Sequence, residues 1–152
     1  GQHIAETEQA SPISLSQLPF PYPDLEKEKG RILYFECSRG CPFQCGYCLS
    51  SIEKGVRFMP LEQVYQCLDL FLSKDVPQVK FVDRTFNCNK AYAFSIWNYL
   101  KEHDNGITNF HFEIAGELLD QETISFLSTI HQYGNIISNY EKNRYKQIAP
   151  NM

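Results

Sequence analysis

Long apolar runs are missing from this chain. No stretch of about 18 consecutive apolar residues occurs, so no segment reads as a membrane-spanning helix. Residues 1–10 are polar and lack the apolar core of a secretory signal, so secretion is not indicated. Clustered Lys and Arg are lacking as well. The formal net charge is −4, which argues against a surface built for polyanions, and nucleic acid is not expected as a partner. Histidine is sparse. His3, His103, His111 and His131 are scattered, no pair has a metal-ligand spacing, and ordinary surface or interior roles suit each. There is no initiator Met, and we expect a cut or processed fragment. The composition is not that of a disordered chain. Of 152 residues, 43% are apolar and 14% aromatic, enough for one domain with a real core.

Cysteine, by contrast, is plentiful. Cys37, Cys41, Cys45, Cys48, Cys67 and Cys88 could form disulfides in a short secreted chain. Without a signal peptide, and with helical patterns that promise an ordinary core, thiolate ligands in a reducing cytoplasm are the favoured reading. Three of the six are packed into Cys41-Pro42-Phe43-Gln44-Cys45-Gly46-Tyr47-Cys48, a C-x3-C-x2-C spacing directly after an apolar run. Three thiolates so spaced can hold a four-iron cluster and leave one iron without a protein ligand. Zinc is the competing metal. A structural zinc site usually takes four ligands, often from two C-x2-C pairs. Cys37 could be the fourth, although no second pair exists and Cys37 falls at a strand end. The spacing favours iron–sulfur and leaves as the alternative a non-catalytic zinc-binding or interaction fragment using Cys37, Cys41, Cys45 and Cys48. Gly40 and Pro42 punctuate the loop, and Gly46 lets the backbone approach the bound group. Cys67, beside an apolar helical stripe, reads as a half-buried structural thiol, and Cys88 as a free thiol near a helix start.

The rest of the chain supplies a frame for that loop. Residues 1–30 read as a proline-stiffened linker or N-terminal arm. A solvated path, and one that lays Leu18, Phe20 and Tyr22 along the next domain, both stay open. Residues 31–36 form a first strand, and residues 50–59 are irregular. Pro60 opens a helix with Leu61, Val64, Tyr65, Leu68, Phe71 and Leu72 on one face. Residues 78–82 are a second strand, with Asp83, Arg84 and Thr85 at its end. Asn87 or Asn89 caps a helix that runs to about His103, with Ala93, Ile96, Trp97 and Leu100 on one side. Asp104-Asn105-Gly106 stops it. Along residues 107–114 Phe110, Phe112 and Ile114 alternate with Asn109, His111 and Glu113, which predicts a third strand with one polar face. Asp120 caps a third helix carrying Ile124, Leu127 and Ile130, and Gly134 ends it. Residues 135–152 read as an irregular tail. The alternation predicts parallel strands with crossover helices, whose chemistry gathers at the C-terminal strand ends. The three cysteines, Asp83, Arg84, Thr85 and Glu113 all fall there.

The cysteine motif, with the aromatic Tyr47 before its last cysteine, resembles that of the radical S-adenosylmethionine (SAM) enzymes. The string from Cys37 to Ser51, and the segments VKFVDRTFN and NFHFEIAGELL, are similar to the cobalamin-binding-domain subgroup. The likeness covers roughly residues 15–130. It implies an α/β fold: a partial, truncated parallel βα barrel of the radical SAM type with about three βα units over residues 31–134. It also implies that Cys41, Cys45 and Cys48 ligate a [4Fe-4S] cluster, whose fourth iron is chelated by the amine and carboxylate of SAM. One electron from the reduced cluster would break the sulfonium C–S bond, giving methionine and a 5'-deoxyadenosyl radical that abstracts hydrogen. Tyr47 would touch the adenine. Asp83 stands where the family supports the methionyl end, usually with Gly-Gly-Glu, which this chain does not have. Glu113 is either a polar contact in the barrel or a solvated strand-end carboxylate. An electron donor such as flavodoxin or ferredoxin, a small-molecule substrate, a cytoplasmic location and a cobalamin carried by another domain complete the implied picture. The later strands of the family's core are not found in this sequence, so the third strand is expected as a bare edge. Activity of this chain alone, a catalytic residue and the substrate all stay open, with methyl transfer, ring rearrangement and hydrogen abstraction each allowed.

Overall fold

Apolar and polar side chains alternate along residues 32–35, and in the computed structural model this run forms β1 (Ile32–Phe35). The structure describes residues 12–51 and 55–130. Leu33 and Phe35 are buried, while Ile32 and Tyr34 face outward. The same pattern repeats in β4 (Gln78–Phe81) and β5 (Asn109–His111). The three strands are parallel, in the order β1-β4-β5. Helix α1 (Leu61–Ser73) lies in the crossover from β1 to β4, and α2 (Lys90–Glu102) in the crossover from β4 to β5. Helix α3 (Gln121–Ser128) follows β5. Among the described residues no helix is long and apolar enough to cross a membrane.

The helices form where local chemistry directs them. Pro60 occupies the N-cap of α1, where its missing N–H removes no helical bond. Asn89 caps α2, its side chain accepting from the Tyr92 N–H at 3.1 Å. Asp120 caps α3, accepting from the N–H and the hydroxyl of Thr123 at 2.9 and 2.6 Å. Val64, Leu68 and Phe71 of α1 and Ala93, Ile96, Trp97 and Leu100 of α2 are buried with the inward residues of the sheet. Phe81 sits at the centre, its ring 5.3 Å from Phe35, 5.3 Å from Phe86 and 4.4 Å from Phe112. Burying such a ring contributes roughly 1.5–3 kcal/mol relative to leaving it exposed. The other face of the sheet carries Tyr34, Lys80 and His111 in one register row and Ile32, Gln78 and Asn109 in the next.

Three expectations need correction. Residues 55–58, read as irregular, form β3 (Gly55–Phe58), antiparallel to β2 (Ser38–Cys41). The third strand is shorter than 107–114, and α3 ends at Ser128. The third-helix stop at Gly134, the tail and His131 lie outside the described residues.

The arm is docked. Leu15 is buried, Phe20 lies 5.2 Å from Phe71, and Gln63 Nε2 donates to the Leu18 carbonyl at 3.0 Å. Tyr22 does more than pack. Its hydroxyl accepts from the Tyr34 N–H at 2.6 Å and donates to the Tyr34 carbonyl at 2.8 Å. Those are the outward groups of an edge strand, which left open would be a template for another chain. Tyr22→Phe should therefore lower unfolding stability by about 1–2 kcal/mol and promote self-association. Urea melts and sedimentation velocity measure both, and an unchanged midpoint with an unchanged monomer would refute the role.

Asp120 gives one surface contact a dependence on pH. The Lys90 ammonium, 2.6 Å away, together with Thr123 holds its carboxyl well below the usual aspartate range. A carboxylate depressed in the folded state adds stability that is complete above its unfolded pKa and is lost as pH falls through the folded one. Asp120→Asn keeps a capping oxygen and removes the charge. The melting difference between the two proteins should be greatest near about pH 6 and should shrink toward about pH 2. A difference independent of pH would show that the charge contributes nothing.

Candidate functional site

At the C-terminal end of β1 the chain turns at Cys37, and every polar group of that residue is engaged. Its carbonyl accepts from the Met59 N–H at 2.8 Å and from the Tyr92 hydroxyl at 3.3 Å. Tyr92 Oη also donates to the Met59 carbonyl at 2.8 Å. The Cys37 N–H and thiol point to Asp83, at 3.3 Å from Oδ2 and 3.2 Å from Oδ1. Ser38 Oγ donates to the same Oδ1 at 2.5 Å. Cys37 is 0% exposed and Asp83 1%. Burial first, then the Asp83 charge, pushes the Cys37 thiol far above its ordinary pKa. Burial also raises the Asp83 carboxyl, against the pull of its Ser38 and Cys37 donors. The Cys37 sulfur is turned into the buried corner toward Asp83, whereas Cys45 and Cys48 are exposed. The structure therefore gives no support to the four-thiolate zinc alternative.

From that corner β2 runs to Cys41, paired with β3 from Ser38↔Phe58 to Cys41↔Gly55. Gly40 is essential to the pairing. Its φ is +107°, and a Cβ there would stand 2.2 Å from the Gly55 carbonyl oxygen. A Cβ at Gly46 would meet no protein atom within 4 Å. Cys41 is half-buried, its sulfur 3.8 Å from the hydroxyl of the buried Thr85. Cys45 and Cys48 are exposed, and the Cys48 N–H bonds the Cys45 carbonyl at 3.0 Å, a turn that closes the motif. Tyr47 is 94% exposed and Leu49 84%. Hydrogen bonds from the Ser50 backbone and side chain, with a smaller share from the Arg84 charge, lower the Cys48 thiol pKa.

Glu113 lies just past β5. Desolvation alone would raise its carboxyl, yet Lys80 at 3.1 Å and His111 at 3.5 Å hold it below the usual range. Its backbone carbonyl accepts from the Phe86 N–H at 2.9 Å, joining the end of β5 to the loop after β4. The structure thus brings Asp83 and Thr85 to the base of the cysteine hairpin, while Glu113 is held in the polar row of the open face. The tyrosine clamp on Cys37, the partners of Asp83 and the Lys80 partner of Glu113 were missed in the sequence. Gly55 before the short alternating run Val56-Arg57-Phe58, with Gly40 upstream, was the available signal for the hairpin. Cys67 is buried against the core, and Cys88 is half-buried at the turn Phe86–Cys88.

Among the described residues no three His, Cys, Asp or Glu are already gathered around a common metal position. The donor set nevertheless fits an iron–sulfur cluster: three free thiols within eight residues, two of them exposed, on a loop at a C-terminal strand end.

A parallel sheet with a three-thiol loop leaving its first strand defines the class. The radical SAM superfamily model matches residues 35–138, and the chain belongs to that superfamily. The family implies a [4Fe-4S] cluster and SAM. The chain is also similar to a protein of Pyrococcus horikoshii named uncharacterized methyltransferase PH0819, at 33% identity over 98 residues. That match covers 59% of this chain and 21% of the relative, so the chain spans about a fifth of the relative's length.

The burial order makes a chemical prediction. At neutral pH iodoacetamide should label Cys48 and Cys45 at least roughly a hundredfold faster than Cys37, which reacts only when the corner opens. Peptide mass spectrometry resolves the sites. Comparable rates at Cys37 and Cys48 would contradict the placement of Cys37.

Proposed function

We propose that this chain carries the cofactor-binding part of a radical SAM enzyme, with Cys41, Cys45 and Cys48 as the three cluster ligands. The observation that carries the reading is the accessible C-x3-C-x2-C loop at the C-terminal end of the first parallel strand. When bound, the cluster and SAM supply reductive cleavage to methionine and a 5'-deoxyadenosyl radical. The protein's part is to bind and orient. Cluster assembly gathers the thiols, as metal binding commonly completes a site that is not preformed. Tyr47, exposed beside Cys48, offers a ring for the adenine. Glu113, held between Lys80 and His111, offers a fixed carboxylate on the open sheet face. Asp83 supports the methionyl end from behind, through the loop it holds.

Methyl transfer is the reaction we favour for the whole protein, supported by the name of the Pyrococcus relative. Membership of the cobalamin-binding subgroup is supported by the strings flanking the motif, and a cobalamin would sit on another domain of a longer protein. A small-molecule substrate, a flavodoxin- or ferredoxin-type electron donor and a cytoplasmic setting belong to the same proposal.

Anaerobic reconstitution tests the ligand set. The chain should take up about four irons and the brown absorption of a cluster. Cys45→Ala should lose both, whereas Cys67→Ala and Cys88→Ala should keep them. A colourless protein carrying one zinc would overturn the assignment.

A further inference from the structure

Asp83 is the one carboxylate buried among the described residues. Burying a carboxylate is costly unless donors surround it, and a well-packed apolar substitute is often as stable. Its presence therefore calls for a reason other than stability. Its donors come from Cys37 and Ser38, the corner from which β2 departs. The other end of β2 is Cys41, three residues on, about 10 Å along an extended strand. The strand between is stiff. It is paired to β3 along its length, and Gly40 leaves no slack against the Gly55 carbonyl. A tilt at the corner is thus passed on to Cys41.

We propose that Asp83 is a positioning residue for the cluster: through Cys37 and Ser38 it sets where β2 delivers Cys41, while touching neither iron nor SAM. Cys37 is then a hydrogen-bond donor in the motif's support and not a ligand. This inference rests on the cluster reading of the loop, and its test separates the two.

The test uses the whole chain with three substitutions. Asp83→Asn places an amide N–H among the donors. Ser38→Ala removes one donor, and Cys37→Ser preserves both donors of that residue. Hydrogen exchange of the apo chain should show residues 37–48 exchanging about tenfold faster in Asp83→Asn, with α1 and α2 unchanged. Ser38→Ala should move in the same direction by less, and Cys37→Ser should match wild type. After reconstitution, Asp83→Asn should hold less iron and give an altered EPR spectrum of the reduced cluster even without SAM. Cys37→Ser should keep full iron.

Wild-type exchange at residues 37–48 in Asp83→Asn would overturn the proposal. So would an unaltered SAM-free spectrum with only the SAM-induced change lost, which would make Asp83 a cofactor contact. If Asp83→Asn unfolds, seen as faster exchange everywhere, Ser38→Ala decides, and wild-type loop exchange in that variant overturns the idea. A wild-type chain that takes up no iron would sink the cluster reading, and the exchange comparison would still decide on Asp83.

Discussion

The pairing of a buried carboxylate with the first corner of the chain is the constraint on which the site depends. Phe35 is the register partner of Phe81 in the parallel β1–β4 pair. Cys37 and Asp83 each lie two residues further on, so their contact continues the sheet register beyond the sheet itself. A slip by one residue would turn Asp83 to the other face and leave its charge without donors. The contact therefore checks two things at once: that β1 and β4 are neighbours, and that they are aligned. The Phe86 N–H on the Glu113 carbonyl brings the end of β5 to the same loop. The ends of β1 and β4 thus meet at the base of the cysteine hairpin, and β5 joins them through the loop after β4.

Local periodicity explains what could be read from the chain. The apolar faces of α1 and α2, the caps Asn89 and Asp120, and the alternation around Phe110 are each written within a few residues. The parallel order followed from the spacing of those elements, and the cysteine loop from its own motif. The β2–β3 hairpin left a fainter mark. Its strands have four residues each, and its key glycines read equally well as loop punctuation. The partners of Asp83 left none, because they lie 45 and 46 residues away and no period links them. The hydrogen bonds of Tyr22, unlike its packing, were invisible for another reason. Its hydroxyl binds backbone atoms of Tyr34, and any residue at position 34 would present the same N–H and carbonyl.

The two faces of the sheet divide the work. Leu33, Phe35, Val79, Phe81 and Phe110 are buried on the helix side, where the apolar core lies. The opposite face mixes polar groups with Ile32 and Tyr34 and is paired in part, Asn109 Oδ1 being buried without a hydrogen-bond partner. Asn109 Nδ2 donates to Gln78 Oε1 at 2.7 Å, and Lys80 and His111 flank Glu113. The edges are treated unequally, because Tyr22 closes β1 while β5 is the outer strand on the other side.

Core and cysteine loop are anchored differently in this molecule. The core, the arm on β1 and the Asp83 contact are built from residues among 12–51 and 55–130. The cysteine loop is different. Tyr47 and Leu49 project beside the exposed thiols, and exposed apolar side chains grouped in this way mark a surface that binding covers. What anchors this loop is at its base, at Cys37, Ser38 and Thr85, while its tip carries the groups suited to a cofactor. On the proposed cluster reading, a fixed base would hold Cys41 while the open tip left Cys45 and Cys48 free to meet the bound group, the arrangement expected where a metal centre completes its own site.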